Sequence, residues 1–334
     1  MRPALSTFAP GVSSRRRWLQ RATGAFAAAS LGLPAWAQTN GAAGKTLRLG
    51  YIGPSPYLTK ATGWALKTGL LLRELQPLGF ADVSLHVFPN GPDLNEAFIS
   101  GAIDAGIYGD TPTVVAYSRG LAGRLIGFDE IGLNAWLLTP RGGVARVRDL
   151  DGQVVAVPLG SYMHRYVLGA LKEEGILGRA KVVYMLPRDA GPALDKGSIA
   201  AFAAPIDTGP LLASQGFPVI DEAARRPHLR GTSVIVAGQK LLDATPGLPA
   251  AWQRARAAAL REITADPERY YAFHAEVSRF PLEAVKVSHP IAQFPAEPYP
   301  REGLASLDEV KRFLLEEKLI RKDVDLDAWR VAEV

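Results

Sequence analysis

Residues 46–334 predict an α/β protein of two lobes, each built on a mainly parallel sheet flanked by helices. Three observations carry this reading. Strand-like and helix-like segments alternate from Leu47 to Ala203, the order that produces parallel sheets covered on both faces. Val154–Val157 is an unbroken apolar run, as a strand buried on both faces requires. Two such strand–helix blocks are separated by short apolar segments with turn residues, at 136–141 and 232–236, where the chain is expected to cross between lobes.

In the first block, 47–52 alternates like a strand. A helix is expected from Pro56 to about Leu75, ending near Gly79. A strand over 83–88, a helix over 93–100 stopped by Gly101, a strand over 103–108 and a helix over 113–118 follow. In the second block the strand at 154–157 leads to a helix in which Met163, Tyr166, Val167, Ala170 and Leu171 share one face and Gly175 ends the run. Next come a strand over 181–186, a helix over 190–196 and a strand over 199–203. The last hundred residues read as mostly helical, with Trp252, Ala255, Ala259 and Ile263 on one face and Leu307, Val310, Phe313 and Leu314 on another. The expected domains are therefore 46–137 with 236–334 as lobe 1, and 138–235 as lobe 2.

The segment before the first strand has its own logic. Residues 14–20 read S-R-R-R-W-L-Q, which resembles the twin-arginine export motif. An apolar run over 25–33 follows, and Ala35 and Ala37 place small residues at a cleavage site. The run is too short to span ~30 Å of hydrocarbon. Residues 1–37 are thus expected to be a signal peptide cleaved near Ala37, and 38–45 a mobile leader. Twin-arginine export moves folded proteins, so the mature chain is expected in the periplasm of a bacterium.

The signal also accounts for the charge. The chain has a formal net charge of +5, but five arginines and no carboxylate fall within 1–37. The remainder balances 33 basic against 33 acidic residues, which gives no support for a nucleic-acid partner. There is no cysteine. That excludes disulfides, a thiol nucleophile, a thiolate metal site and a lipid-modified cysteine anchor, and leaves stability to the core. A soluble monomer is expected.

Three helix starts carry the functional reading. Each follows a strand directly. The first is Gly53-Pro54-Ser55-Pro56-Tyr57, where Ser55 suits the N-cap and Pro56 the first helical position. In the second, Gly109-Asp110-Thr111-Pro112, Thr111 caps and Pro112 starts. In the third, Leu159-Gly160-Ser161-Tyr162, Ser161 caps. A helix start exposes unpaired N–H groups and carries about half a positive charge, so it holds an oxyanion without any arginine. In open parallel sheets these starts lie at the carboxyl ends of the strands, where ligands bind. The alternative is that each cap serves only its own helix.

Asp110 has two readings: a cap for its helix, or a partner for an ammonium group on the ligand. His164, one turn into the third helix, is either structural or a donor at the cleft mouth. Tyr57, Tyr162 and Trp136 are either core or cleft wall. The histidines show no metal-ligand spacing and no H-E-x-x-H, so no metal is expected. The chain lacks G-x-S-x-G, a phosphate loop and G-x-G-x-x-G, and no pair of carboxylates is spaced for acid–base work. No catalytic residue and no cofactor is expected.

Phe88-Pro89-Asn90-Gly91-Pro92-Asp93-Leu94-Asn95-Glu96-Ala97, Ser100-Gly101-Ala102-Ile103-Asp104 and Gly109-Asp110-Thr111-Pro112 resemble the periplasmic aliphatic sulfonate-binding proteins. So does the later run Asp149-Leu150-Asp151-Gly152-Gln153-Val154-Val155-Ala156-Val157 with Gly160, Ser161 and His164. The resemblance covers roughly residues 47–212. It implies the type II periplasmic binding protein fold, with two lobes on a two-crossing hinge. It also implies capture of an aliphatic sulfonate or similar small organic anion, and delivery to an ABC permease in the inner membrane. By motif, contacts would come from Ser55, Pro56, Tyr57, Asp110, Thr111, Ser161, Tyr162 and His164. Where the family often shows V-D-A-x-x-x-W-D-P, this chain has Pro205 at the tryptophan position and its aspartate displaced to Asp207, which is also expected to contact the ligand. That substitution reshapes the pocket. Two alternatives remain: an enzyme on the same fold, of the desulfinase or pyrimidine-synthase kind, and a periplasmic sensor subunit.

Overall fold

The computed structural model describes residues 44–54 and 56–332. The expected signal peptide, most of the leader and Ser55 lie outside the described residues. The strands are β1 (Lys45–Ile52), β2 (Phe80–Phe88), β3 (Ala105–Gly109), β4 (Gly123–Leu133), β5 (Trp136–Leu138), β6 (Val154–Val157), β7 (Lys181–Tyr184), β8 (Ala201–Ala204), β9 (Val219–Glu222) and β10 (Gly231–Gly238). They form two five-stranded sheets of order β2-β1-β3-β10-β4 and β7-β6-β8-β5-β9.

The two sheets repeat one plan. In the first, β1 pairs in parallel with β2 and β3, and β10 runs antiparallel between β3 and β4. In the second, β6 pairs in parallel with β7 and β8, and β5 runs antiparallel between β8 and β9. The antiparallel strand of each sheet adjoins a crossing. The chain leaves the first sheet through 134–135 and returns through 223–230. The segments expected to be the crossings, 136–141 and 232–236, are largely these inserted strands. Their short apolar runs are buried ladder positions, with Trp136, Leu137, Val234, Ile235 and Val236 all enclosed. The expected lobe limits at 137 and 235 fall inside β5 and β10.

The helices are α1 (Lys60–Lys67), α2 (Leu70–Leu75), α3 (Gly91–Ile99), α4 (Asp110–Ser118), α5 (Tyr162–Glu173), α6 (Pro187–Asp195), α7 (Thr208–Ser214), α8 (Gln239–Ala244), α9 (Leu248–Ala265), α10 (Pro267–Ser278), α11 (Leu282–Ser288), α12 (Arg301–Glu316) and α13 (Leu326–Trp329). Among the described residues no helix is long and apolar enough to cross a membrane. The face expected on α9 is real: Trp252, Ala255, Ala259 and Ile263 are fully enclosed against β1, α1 and α2. Burial of one such large aliphatic side chain contributes about 2 kcal/mol. Leu307, Val310 and Leu314 of α12 do the same on the opposite face of that sheet.

One helix differs from expectation. The run expected from Pro56 starts at Lys60, with Thr59 as N-cap, and breaks at Gly69 (φ +75°) into α1 and α2. Tertiary contacts override the Ser-Pro signal. Leu58 is buried in the core, and its carbonyl lies 2.2 Å from where a Cβ on Gly63 would stand, so backbone packs on backbone there.

Candidate ligand-binding site

The carboxyl ends of six parallel strands face one another across a cleft of about 740 Å3. From the first sheet, the segments after β1, β2 and β3 line it; from the second, those after β6, β7 and β8. This is where an open α/β sheet places its ligand, and the volume suits a small organic molecule. Its walls are largely apolar, with Tyr57, Phe88, Leu159, Met163, Ile206 and Phe280 among them.

Several helices open into this space. The start of α5 does so as expected: Ser161 is the N-cap, its Oγ accepting from His164 N at 3.2 Å while donating to the Pro158 carbonyl at 2.5 Å. Three further starts reach the wall that local sequence did not single out. These are α3 at Asn90 and Gly91, α6 at Leu186 to Arg188, and α7 at Asp207 and Thr208. Arg188 brings an exposed guanidinium, whose nearest acidic partner is its neighbour Asp189 at 3.8 Å.

Tyr57, Ser161, Tyr162 and Asp207 come together in the wall; Pro56, Asp110, Thr111 and His164 do not. Pro56 is exposed in the loop before α1. Asp110 is fully enclosed and begins α4, with Gly109 rather than Thr111 at the cap. Its Oδ1 accepts from the Thr111 amide and, at 2.7 Å, from the Thr111 hydroxyl. Its Oδ2 accepts from the Thr232 amide and hydroxyl, and Arg165 stands 3.7 Å away. The carboxylate therefore closes its own helix start, which leaves neither Asp110 nor Thr111 open to a ligand. His164 accepts from Gly160 N at Nδ1 (3.2 Å), and burial pushes its pKa down, so it is a neutral brace of the 158–161 turn.

Tyr162 sits low in the wall, its hydroxyl donating to the Asn134 carbonyl at 3.1 Å and accepting from Ile206 N at 3.3 Å. Trp136 is core: a Cβ on Gly209 would lie 2.3 Å from its ring.

A polar chain crosses the cleft. Lys60 Nζ is 3.0 Å from Glu130, whose two oxygens lie 3.0 and 3.1 Å from His289 Nδ1. His289 Nε2 lies 3.3 Å from both oxygens of Asp207. His274 Nε2 is 3.9 Å from Asp207 Oδ2, with its Nδ1 3.2 Å from the Tyr270 hydroxyl. Burial alone would raise the Glu130 carboxyl, yet His289 and Lys60 hold it at about 2. Burial alone would lower His289, yet Glu130 and Asp207 raise it to about 9. Burial, with His289 beside it, holds His274 at about 3. Sequence reasoning missed Lys60, Glu130 and this use of His274 and His289, because the group is assembled from distant segments with no local spacing to mark it.

No protein-family model matches the chain. A curated protein of Escherichia coli (strain K12), described as "Putative aliphatic sulfonates-binding protein", is 31% identical over 162 residues. That match spans 48% of this chain and about half, 49%, of the relative. The solved alkanesulfonate-binding protein SsuA from Xanthomonas axonopodis pv. citri, bound to MOPS, superposes with a TM-score of 0.71 at 21% identity, covering 86% of this chain and 98% of that one. The desulfurization enzyme DSZB superposes with a TM-score of 0.70 at 17% identity, covering 86% and 96%. The structural likenesses show the fold, which is that of the periplasmic binding proteins, as the resemblance in the sequence implied.

Proposed function

We propose that this chain is the periplasmic substrate-binding component of an ABC importer, and that it holds an aliphatic sulfonate or a similar small organic anion in the cleft. The single observation that carries the reading is the convergence of helix starts from both sheets on one apolar-walled space. α3 comes from the first sheet, and α5, α6 and α7 from the second, with Arg188 at the rim. The 162-residue match to a sulfonate-binding relative supports the same ligand class. The sulfonate oxygens lie against the start of α5 at Ser161 and Tyr162, and the alkyl part against Tyr57 and the apolar wall. The two lobes that close on the ligand are the chain up to the crossing at 134–135 together with the chain from Gly231 onward, and residues 136–222 between the crossings. Export by the twin-arginine route with cleavage near Ala37, a monomeric state and an inner-membrane ABC permease partner belong to the same reading.

Binding without turnover is the reading favoured over an enzyme of the DSZB fold, because the chain carries no cysteine and the cleft polar groups are tied to one another. A thermal-shift screen of the mature protein against alkanesulfonates and taurine tests it. A ligand at 100 times its Kd raises stability by about 2.7 kcal/mol, and Arg188→Ala weakens the effect. No shift with any organic anion, or conversion of an organosulfur compound by the protein alone, would refute it.

A further inference from the structure

We propose that Asp207, His274 and His289 form a site for one divalent transition-metal ion, of the Zn2+ type, in the wall of the cleft. One oxygen of Asp207 and one nitrogen of each histidine lie within 4.8 Å of one another. Zinc sites hold such atoms at about 2.0–2.2 Å from the metal, so two of them stand about 3.3–3.5 Å apart by tetrahedral geometry. His289 Nε2 already lies 3.3 Å from Asp207, His274 Nε2 lies 3.9 Å from it and no pair exceeds 4.8 Å, so the two histidines draw inward to close on an ion.

The outer atoms are arranged as a metal site requires. Both histidines turn Nε2 toward Asp207 and Nδ1 away from it. His289 Nδ1 is held by the Glu130 carboxylate and His274 Nδ1 by the Tyr270 hydroxyl. A carboxylate or hydroxyl on the far nitrogen is what fixes the tautomer and orientation of a ligating histidine. Asp207 supplies an independent sign. Its Oδ1 is buried and accepts no well-aligned hydrogen bond, with the His289 Nε2 ion-pair contact at 3.3 Å beside it. The residue is held at φ +63° as its amide donates to Ser288 Oγ at 2.6 Å.

Charge is consistent with a dication. With His289 protonated, Asp129, Glu130 and Asp207 balance Lys60, Arg256 and His289; once His289 gives up its proton a surplus of one negative charge is left for the ion. Lys60 opposes a cation, but its ammonium is engaged by Glu130 at 3.0 Å. On binding, the ion takes the place of the proton that His289 Nε2 shares with Asp207, and that proton leaves to solvent. Two imidazoles and one carboxylate favour zinc, iron, cobalt or nickel over magnesium or calcium, and three protein ligands leave a position open toward the cleft. The ligands come from positions 207, 274 and 289, which is why histidine spacing gave no warning and the sequence led to the opposite expectation.

Metal-free protein titrated with Zn2+ in the calorimeter, with no organic anion present, tests this separately from the binding of any sulfonate. One Zn2+ per chain is expected, with a rise in Tm that Mg2+ does not reproduce. Co2+ should give the intense visible absorption of a low-coordinate site. Asp207→Asn and His274→Gln should each abolish saturable binding, and Glu130→Gln should weaken it about 10–100-fold. The Co2+ spectrum of the unaltered protein guards against a variant that fails to fold. Absence of one-to-one Zn2+ binding, a Co2+ spectrum like that of the aquo ion, or unchanged affinity in folded Asp207→Asn and His274→Gln would each overturn the proposal.

Discussion

Thr232 donates both its backbone N–H, at 2.6 Å, and its hydroxyl, at 3.1 Å, to a single oxygen of Asp110. This fixes the start of α4 to β10 just past the second crossing. Arg165 of α5 closes the joint: it lies 3.7 Å from Asp110 and donates to the carbonyls of His228 (3.1 Å) and Arg230 (2.6 Å). The carboxylate that reads in sequence as either a cap or a ligand contact is therefore a buried pin at the second crossing. Asp110→Asn puts an amide N–H against backbone donors and leaves Arg165 without its counter-charge. A loss of about 3 kcal/mol is expected, measured as a fall in the urea midpoint at unchanged m-value. Unchanged stability with lost ligand binding would restore Asp110 to the site.

Gly231 is the contact point between β10 and Tyr162. A Cβ there would stand 2.5 Å from the ring, and Tyr162 cannot retreat without giving up its bonds to Asn134 and Ile206. Gly231→Ala is expected to cost about 1–3 kcal/mol from overpacking and to weaken ligand binding through displacement of the cleft wall. Equilibrium denaturation read beside a ligand titration checks both parts.

His164 predicts a pH dependence. Burial lowers its pKa in the folded state, whereas the unfolded chain titrates near 6.5. Below about pH 6.5 the unfolded state binds more protons, so this residue draws stability down as pH falls from there to the folded-state pKa. Protonation also removes the Nδ1 acceptor used by Gly160. His164→Asn keeps an acceptor and removes the titration, so its Tm should fall less than that of the unaltered protein between about pH 7 and pH 5. Parallel curves would show that His164 is not buried neutral.

Much of the fold was legible because it rests on local pattern. The apolar run 154–157, the single face of α5 and the face of α9 map directly onto buried positions. β4 and β10 were harder, since each is interrupted by register shifts that blur alternation. The true start of α1 was hidden because Leu58 and Lys60 answer to tertiary partners rather than to the Ser-Pro cap signal. At the site, Ser161 was readable as a cap, while Tyr57 and Tyr162 stayed open between core and wall, and Tyr162 serves as both. Of the two readings of Asp110 the geometry favours the cap, and the sequence does not show that Thr232, 122 residues away, would engage its second oxygen. Lys60, Glu130, His274 and His289 had no local signature at all.

The account rests on an anion seated against the start of α5, and calorimetric titration of Ser161→Asp with an alkanesulfonate tests that most directly. Aspartate is as good an N-cap as serine, so the helix and the fold should survive the loss of the Ser161 bond to the Pro158 carbonyl while a carboxylate occupies the place of the anion. The account predicts an intact protein with no detectable heat of binding, beside saturable one-to-one binding in the unaltered chain. Full affinity in folded Ser161→Asp would contradict it.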